Sequence, residues 1–215
     1  MRNIAMILSS GTGQRFGSPI PKQYNLIDGK MVVEYVIDQV KLSNDIDDIV
    51  FVATNMDYAK PLCEKYNLKL VSGGDTRSIS IANGLDFVKN NYPNVDKIIV
   101  FDSARPFISF EIISEFLKLL NEYDAVITAS KITDSLGDYE NHNINRDNYY
   151  LIQAPEAFKF DIIYKYFDRN SSITSMVQQL PTNSKVYPYF KLKNNMKITY
   201  PNDLKIAEII MKEKD

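Results

Sequence analysis

The sequence predicts an α/β fold: a doubly wound, mostly parallel sheet covered by helices on both faces. Three observations predict it. Short β-rich apolar runs alternate with amphipathic stretches of helical length. The runs 4–8, 49–53 and 97–101 are close to continuously apolar, as strands buried on both faces are. Turns rich in glycine or bearing an aspartate follow several of these runs, at the strand ends where open α/β sheets bind ligands.

Taken in order, residues 4–8 read as a buried strand. Residues 31–41 place Val32, Val33, Val36, Ile37 and Val40 on one helical stripe. Residues 49–53 form the next strand, 58–66 a helix and 68–71 a short strand. Residues 78–90 read as a helix with Ile79, Ala82, Leu85 and Phe87 or Val88 inward. Residues 97–101 make a third long strand, 111–121 a helix and 125–130 a strand. The rhythm then breaks. Residues 131–150 are polar, rich in Asn, and carry Gly137 but no helical period. A structureless loop of that length is rare in a compact domain, so the segment 131–153 reads as a protruding hairpin or arm. Residues 157–167 return to helix. Residues 185–193 are strand-like, with Tyr187, Tyr189 and Phe190. Residues 201–212 close as a helix carrying Leu204, Ile206, Ala207, Ile209 and Ile210. No repeat or linker marks a second unit, so 1–215 reads as one domain.

Composition removes several function classes. The 215 residues are 45% hydrophobic and 24% charged, with a net charge of −2. That balance excludes a broad nucleic-acid surface but leaves room for a local basic pocket. The one cysteine, Cys63, excludes an intramolecular disulfide and a thiolate metal cluster. The one histidine, His142, excludes a two-histidine metal site. It lies in the polar run 138–148, which suits a solvated loop residue better than a rigidly held base. No apolar stretch approaches the roughly 18 residues of a membrane span, and residues 1–8 are too short for a signal-peptide core. These features predict a cytoplasmic chain without membrane partners.

Three predicted strand ends carry unusual residues. After 4–8 comes Ser9-Ser10-Gly11-Thr12-Gly13-Gln14-Arg15-Phe16-Gly17, then Pro21-Lys22-Gln23. A glycine-rich turn lets backbone N–H groups approach phosphate oxygens, and Arg15 and Lys22 add positive charge. The same residues also suit a plain tight turn with solvated cations. After 68–71 comes Gly73-Gly74-Asp75-Thr76-Arg77-Ser78-Ile79-Ser80. This reads either as a capped helix start or as an anion- or base-recognition surface. After 97–101 comes Asp102-Ser103-Ala104-Arg105-Pro106. Asp102 there is either half of an ion pair with Arg105 or a ligand position for Mg²⁺, which prefers carboxylate oxygen beside substrate phosphates.

The order of these segments is more specific than any one of them. SSGTGQRFG and PKQY, then GGDTRSISIANGL, VFDSARPF, QAPEAF and NMKITYPNDLKIAE resemble the 2-C-methyl-D-erythritol 4-phosphate cytidylyltransferases and the related ribitol-5-phosphate cytidylyltransferases. The likeness runs from about residue 3 to 210. It implies a Rossmann-like nucleotidyltransferase fold, a homodimer joined by a protruding arm, and CMP transfer from CTP to an alcohol phosphate with release of pyrophosphate. It implies a nucleotide loop at Ser9, Ser10, Gly11 and Gly13, and catalytic cations at Arg15, Lys22 and Lys197. It further implies cytosine and ribose contacts at Gly74, Asp75 and Ser80, and an aspartate on the metal side at Asp102, followed by nucleotide contacts at Ala104 and Arg105. Acceptor-phosphate contacts fall on Ser135 and Arg146 of the arm, and Mg²⁺ is the implied cofactor.

The chain departs from that pattern mainly in its acceptor half. The family's Thr-Pro-Gln reads Ala154-Pro155-Glu156, and its later Thr-Asp reads Thr174-Ser175. On that ground the expected acceptor is an alditol phosphate feeding a surface polymer such as a capsule, with methylerythritol phosphate of isoprenoid synthesis as the alternative. The chemistry needs no histidine: an acceptor phosphate is already anionic near neutral pH, and positioned cations meet the charge that grows at the α-phosphorus.

Overall fold

The computed structural model describes residues 1–140 and 143–213, so His142 lies outside the described residues. In chain order the elements are β1 (Arg2–Ser9), β2 (Leu26–Ile27), β3 (Lys30–Met31), α1 (Val32–Leu42), β4 (Asp48–Ala53), α2 (Met56–Tyr66), β5 (Lys69–Ser72) and α3 (Arg77–Asn91). They continue with β6 (Val95–Asp102), α4 (Phe110–Leu119), β7 (Ala125–Lys131), β8 (Tyr150–Lys159), α5 (Phe160–Tyr166), β9 (Val186–Tyr189) and α6 (Pro201–Lys212). Seven strands form one sheet in the order β5-β4-β1-β6-β8-β7-β9, and β2 and β3 make a separate small hairpin.

The sheet is α/β and mostly parallel, as expected, with one reversal. β8 runs antiparallel to both neighbours, β6 and β7. Residues 157–159, expected to open a helix, belong to this strand. Ala157 faces Ile99 on one side and Val126 on the other, and both Ala157 and Phe158 are fully buried. A short apolar run has no period of its own that separates strand from helix, so pairing on both edges decides it. The helix α5 starts one turn later, at Phe160.

Helices cover both faces. α1, α2 and α4 pack Val36, Ile37, Leu62 and Phe116 against Phe51 and Phe101 on one side. α3 and α5 pack Ile81, Leu85, Val88 and Phe160 against Met6, Val52 and Val100 on the other. A third cluster joins Phe16, Val32, Ala104, Ile198 and Ala207 and seats α6 beside β2. One expected helix face shifts. In α3 it is Ile81, not Ile79, that is buried, because Gly84 brings the helix against the sheet: a Cβ there would lie 2.3 Å from Met6 Sδ. In α6, Ala207 is buried while Ile206 and Ile209 face outward.

The expected arm is the long connection between β7 and β8. Lys131 pairs with Tyr150, so the hairpin is a continuation of the sheet rather than a separate body. Thr133, Asp134, Ser135 and Arg146 are exposed along it. Among the described residues, no helix is long and apolar enough to cross a membrane. The parallel strands β1, β4, β5 and β6 deliver their carboxyl ends to one edge, which brings the turns after β1, β5 and β6 together.

Candidate functional site

A cleft of about 510 Å³ opens at that edge. The turn after β1 gives it Ser10, Gly11, Gly13 and Arg15. Gly13 sits at φ 69°, a left-handed conformation that disfavours a side chain. The segment before α3 contributes Gly74 and Asp75, the end of β6 contributes Asp102 and Ala104, and Lys22 and Lys197 reach in from two loops. Most of the residues expected from sequence therefore converge.

Ser9, Ser80 and Arg105 do not line the cleft. They lie beneath it and brace it. The Ser9 hydroxyl donates to the Tyr24 hydroxyl oxygen at 3.1 Å. The Ser80 hydroxyl takes the Gly74 N–H at 3.0 Å and donates to the Thr76 carbonyl at 2.9 Å, holding the turn before α3. A Cβ on Gly74 would meet Ile79 Cγ2 at 2.1 Å, so that turn closes only on glycine. Arg105 is buried and donates to the Asn195 carbonyl at 2.6 Å. Ile198 N–H donates to the Ala104 carbonyl at 2.9 Å, and these two bonds fix the segment carrying Lys197 against the end of β6. Ser135 and Arg146, on the arm, do not line this chain's own cleft; the Arg146 guanidinium donates to the Thr133 carbonyl instead.

Arg77 and Gln23 also line the cleft, though no role was expected for either. Arg77, the first residue of α3, donates through Nη1 to Asp102 Oδ1 at 2.9 Å and through Nε to the Thr174 carbonyl at 3.2 Å. Gln23 follows Lys22 in a short 3₁₀ turn, and its amide donates to the carbonyls of Ser9 at 3.0 Å and Gly11 at 3.2 Å. Gln23 thereby ties the turn bearing Lys22 to the glycine loop. Its place directly after a proline–lysine pair was the one available signal; nothing local marks Arg77 as a partner of Asp102.

Asp102 is the electrostatic centre. It is 7% exposed, and its Oδ2 also takes Lys197 Nζ at 2.8 Å, with Arg105 Nε at 3.6 Å. Burial pushes its carboxyl up, but Arg77, Lys197 and Arg105 outweigh that and hold it well below the ordinary carboxylate range. The ion pair with Arg105 foreseen in the sequence is thus one of three. The metal role expected for Asp102 meets a carboxylate whose two oxygens are both occupied by cations. Among the described residues, no group of three or more His, Cys, Asp or Glu side chains could hold a metal ion. The described side chains therefore form no ready-made cage for the expected Mg²⁺.

Lys22 is different. It makes no ion pair among the described residues. Burial, then the Lys197 charge, bring its ammonium down from 10.5 to about 8, with Asp102 opposing. Arg15, Lys22, Arg77 and Lys197 thus outnumber Asp75 and Asp102 in the cleft lining, a positive excess that suits an oligophosphate.

Replacing Asp102 by Asn should leave three cations facing one another. At neutral pH the expected loss of unfolding free energy is about 1–3 kcal/mol, less than for a fully buried pair because Arg77 and Lys197 are each about a third exposed. The native carboxylate stabilises the fold above its unfolded-state pKa of about 4, so the gap between wild type and Asp102→Asn should close as pH falls below that value. Chemical denaturation across pH measures it. Inorganic pyrophosphate should restore stability to the variant more than it adds to wild type.

The family model IspD, 2-C-methyl-D-erythritol 4-phosphate cytidylyltransferase, matches residues 3–213. Similar relatives are the 2-C-methyl-D-erythritol 4-phosphate cytidylyltransferases of Clostridium botulinum (34% identical over 96% of this chain and 98% of the relative) and Thermotoga neapolitana (32% over 98% and 97%). Among solved structures, the 4-diphosphocytidyl-2C-methyl-D-erythritol synthase of Anaerococcus prevotii superposes with a TM-score of 0.84 at 28% identity, over 98% of this chain and 96% of that one. With the nucleotidyltransferase fold, the cationic cleft and these likenesses over nearly its full length, the chain belongs to the 2-C-methyl-D-erythritol 4-phosphate cytidylyltransferase family and is a CTP-dependent cytidylyltransferase.

Proposed function

We propose that the chain transfers CMP from CTP to 2-C-methyl-D-erythritol 4-phosphate, releasing pyrophosphate. The observation that carries the reading is the cleft lined by Lys22, Lys197, Arg15 and Arg77, with Arg77 and Lys197 paired to one buried aspartate at the strand ends of a chain of this family. The relatives named above support the choice of acceptor over the alditol phosphate expected from sequence. That expectation rested on departures that included Glu156 and Ser175. In the structure these two touch each other: the Ser175 hydroxyl donates to Glu156 Oε2 at 2.8 Å, and both are buried. They explain one another as packing and carry no information about the acceptor.

In this reading CTP binds in the cleft; Mg²⁺, if bound, would supply further positive charge to its phosphates, Asp75 and Asp102 being the carboxylates that line the cleft. An oxygen of the acceptor phosphate attacks the α-phosphorus, and the bond from that phosphorus to the oxygen bridging to the β-phosphate breaks. Lys22 faces the growing negative charge, and the Lys197 ammonium, with one of its three protons on Asp102, has others for phosphate oxygen. The turn of Gly74 and Asp75 with the backbone at Ser10 forms the base pocket. Ser135 and Arg146 sit on the exposed hairpin, away from their own cleft. They serve the cleft of a second copy in a homodimer, where Arg146 grips the acceptor phosphate through its planar fork.

Pyrophosphate release with CTP, ATP and GTP against methylerythritol phosphate, ribitol phosphate and glycerol phosphate tests the reading. CTP with methylerythritol phosphate should be the fastest pair. Faster turnover of a linear alditol phosphate would overturn the acceptor assignment, and equal use of ATP the base pocket. Lys22→Ala should lower kcat on the order of 10²-fold or more, with a smaller change in CTP binding.

Mixed dimers test the shared site. Lys22→Ala and Arg146→Ala should each be nearly inactive alone. A verified heterodimer of the two should regain one working site, built from the intact Lys22 of one chain and the intact Arg146 of the other. No recovery would reject a hairpin that serves its partner.

A further inference from the structure

Glu156 is a carboxylate in the interior of the sheet that no step above uses. It lies on β8 between Val100 of β6 and Ile127 of β7, and it is 4% exposed. A buried carboxylate needs partners, and Glu156 has three from one turn. The Ser175 hydroxyl and the Val177 N–H donate to Oε2 at 2.8 and 3.0 Å, and the Met176 N–H donates to Oε1 at 3.3 Å. Burial pushes its carboxyl up while these donors, and the Arg77 charge, pull it back.

The turn held in this way reaches the cleft. Its Thr174 carbonyl accepts from Arg77 Nε, and the Ser171 carbonyl just before it accepts from the Ser78 hydroxyl at 2.6 Å. Arg77 has its other contact on Asp102. A continuous path of hydrogen bonds therefore runs from the interior of β8, through the 174–177 turn, to the first turn of α3 and the centre of the cleft.

We propose that Glu156 is a positioning residue: its carboxylate fixes the 174–177 turn, the Thr174 carbonyl then fixes the plane of the Arg77 guanidinium, and Arg77 fixes Asp102 and the cations gathered on it. Its effect on turnover rests on the cytidylyl-transfer reading; its effect on Arg77 does not. Two features make the brace specific. The guanidinium is held at two nitrogens that point at two different acceptors, so loss of either leaves it free to rotate. The Ser175–Glu156 contact also has a defined polarity, with the acid on the strand and the donor on the turn. That polarity can be reversed as a pair: an amide at 156 can keep its oxygen on the Val177 N–H and turn its nitrogen to an acid at 175, giving up only the longer bond from Met176.

The test uses four variants of the full chain with two readouts. The first readout is the ¹⁵Nε–H signal of Arg77 and its hydrogen exchange, which report the bond to Thr174 whether or not the enzyme turns over. The second is kcat and KM for CTP with the acceptor that the wild type uses. Glu156→Gln keeps an oxygen for Ser175 and Val177, so it should leave both readouts near wild type. Glu156→Met fills the space without acceptors; it should speed Arg77 exchange and lower kcat about tenfold with a smaller change in KM. Ser175→Asp sets two acids against each other and should do the same. Combining Ser175→Asp with Glu156→Gln should restore protection of Arg77 and most of the lost kcat. Slow Arg77 exchange in both Glu156→Met and Ser175→Asp would overturn the proposal. So would failure of the double exchange to recover what Ser175→Asp loses. If Glu156→Met does not fold, the comparison of Ser175→Asp with the double exchange still decides. A wild type that is inactive with every acceptor would count against the proposed function, while the Arg77 signal would still decide the role of Glu156.

Discussion

The buried carboxylate of Asp102 is the interaction on which the rest of the site depends. A charge at 7% exposure is costly to keep, and it is kept here by Arg77, Lys197 and Arg105 at once. Each of those cations comes from a different part of the chain: the start of α3, the loop before α6, and the loop after β6. Asp102 therefore does more than balance charge. It sets where three loops meet, and it meets them at the end of β6, in the middle of the strand order.

Around that centre the cations divide into two sets. Arg105 is committed to structure, with Nη1 on the Asn195 carbonyl. Arg77 and Lys197 are each about a third exposed and face both Asp102 and the cleft. Lys22 has no ion-pair partner among the described residues, and burial, then the Lys197 charge, make its ammonium hard to keep. A site with this arrangement is relaxed by a polyanion, and under the proposed function the same residues would bind the triphosphate and meet the charge that develops as pyrophosphate leaves. The glycine loop and Gln23 contribute geometry, holding Lys22 near Gly13 and the end of β1.

Much of this was legible in the sequence, and the parts that were not share a cause. The strands β1, β4 and β6 are continuous apolar runs and declare themselves; the convergence of Gly13, Gly74 and Asp102 follows from their order at strand ends, while Lys197 was marked only by the family resemblance. β8 is hidden because its last residues have no period, and its pairing on two edges is a property of the assembled sheet. Arg77 looked like an ordinary residue at a helix start, since its partners are 25 and 97 positions away. Glu156 and Ser175 looked like two separate changes in the acceptor half until the fold placed one against the other. Residues whose function is to be near a local turn could be read; residues whose function is to connect distant segments could not.

The central claim is that the cleft carries positive charge in excess of its own acids, concentrated on Lys22 and awaiting a polyanion. Lysine ¹³Cε NMR titration of the protein, with Lys22 assigned by the loss of its signal in Lys22→Arg, measures this directly. Without nucleotide, Lys22 should titrate near pH 8, and saturating CTP should move that titration upward. A titration at the ordinary lysine value of about 10.5, unmoved by CTP, would contradict the account.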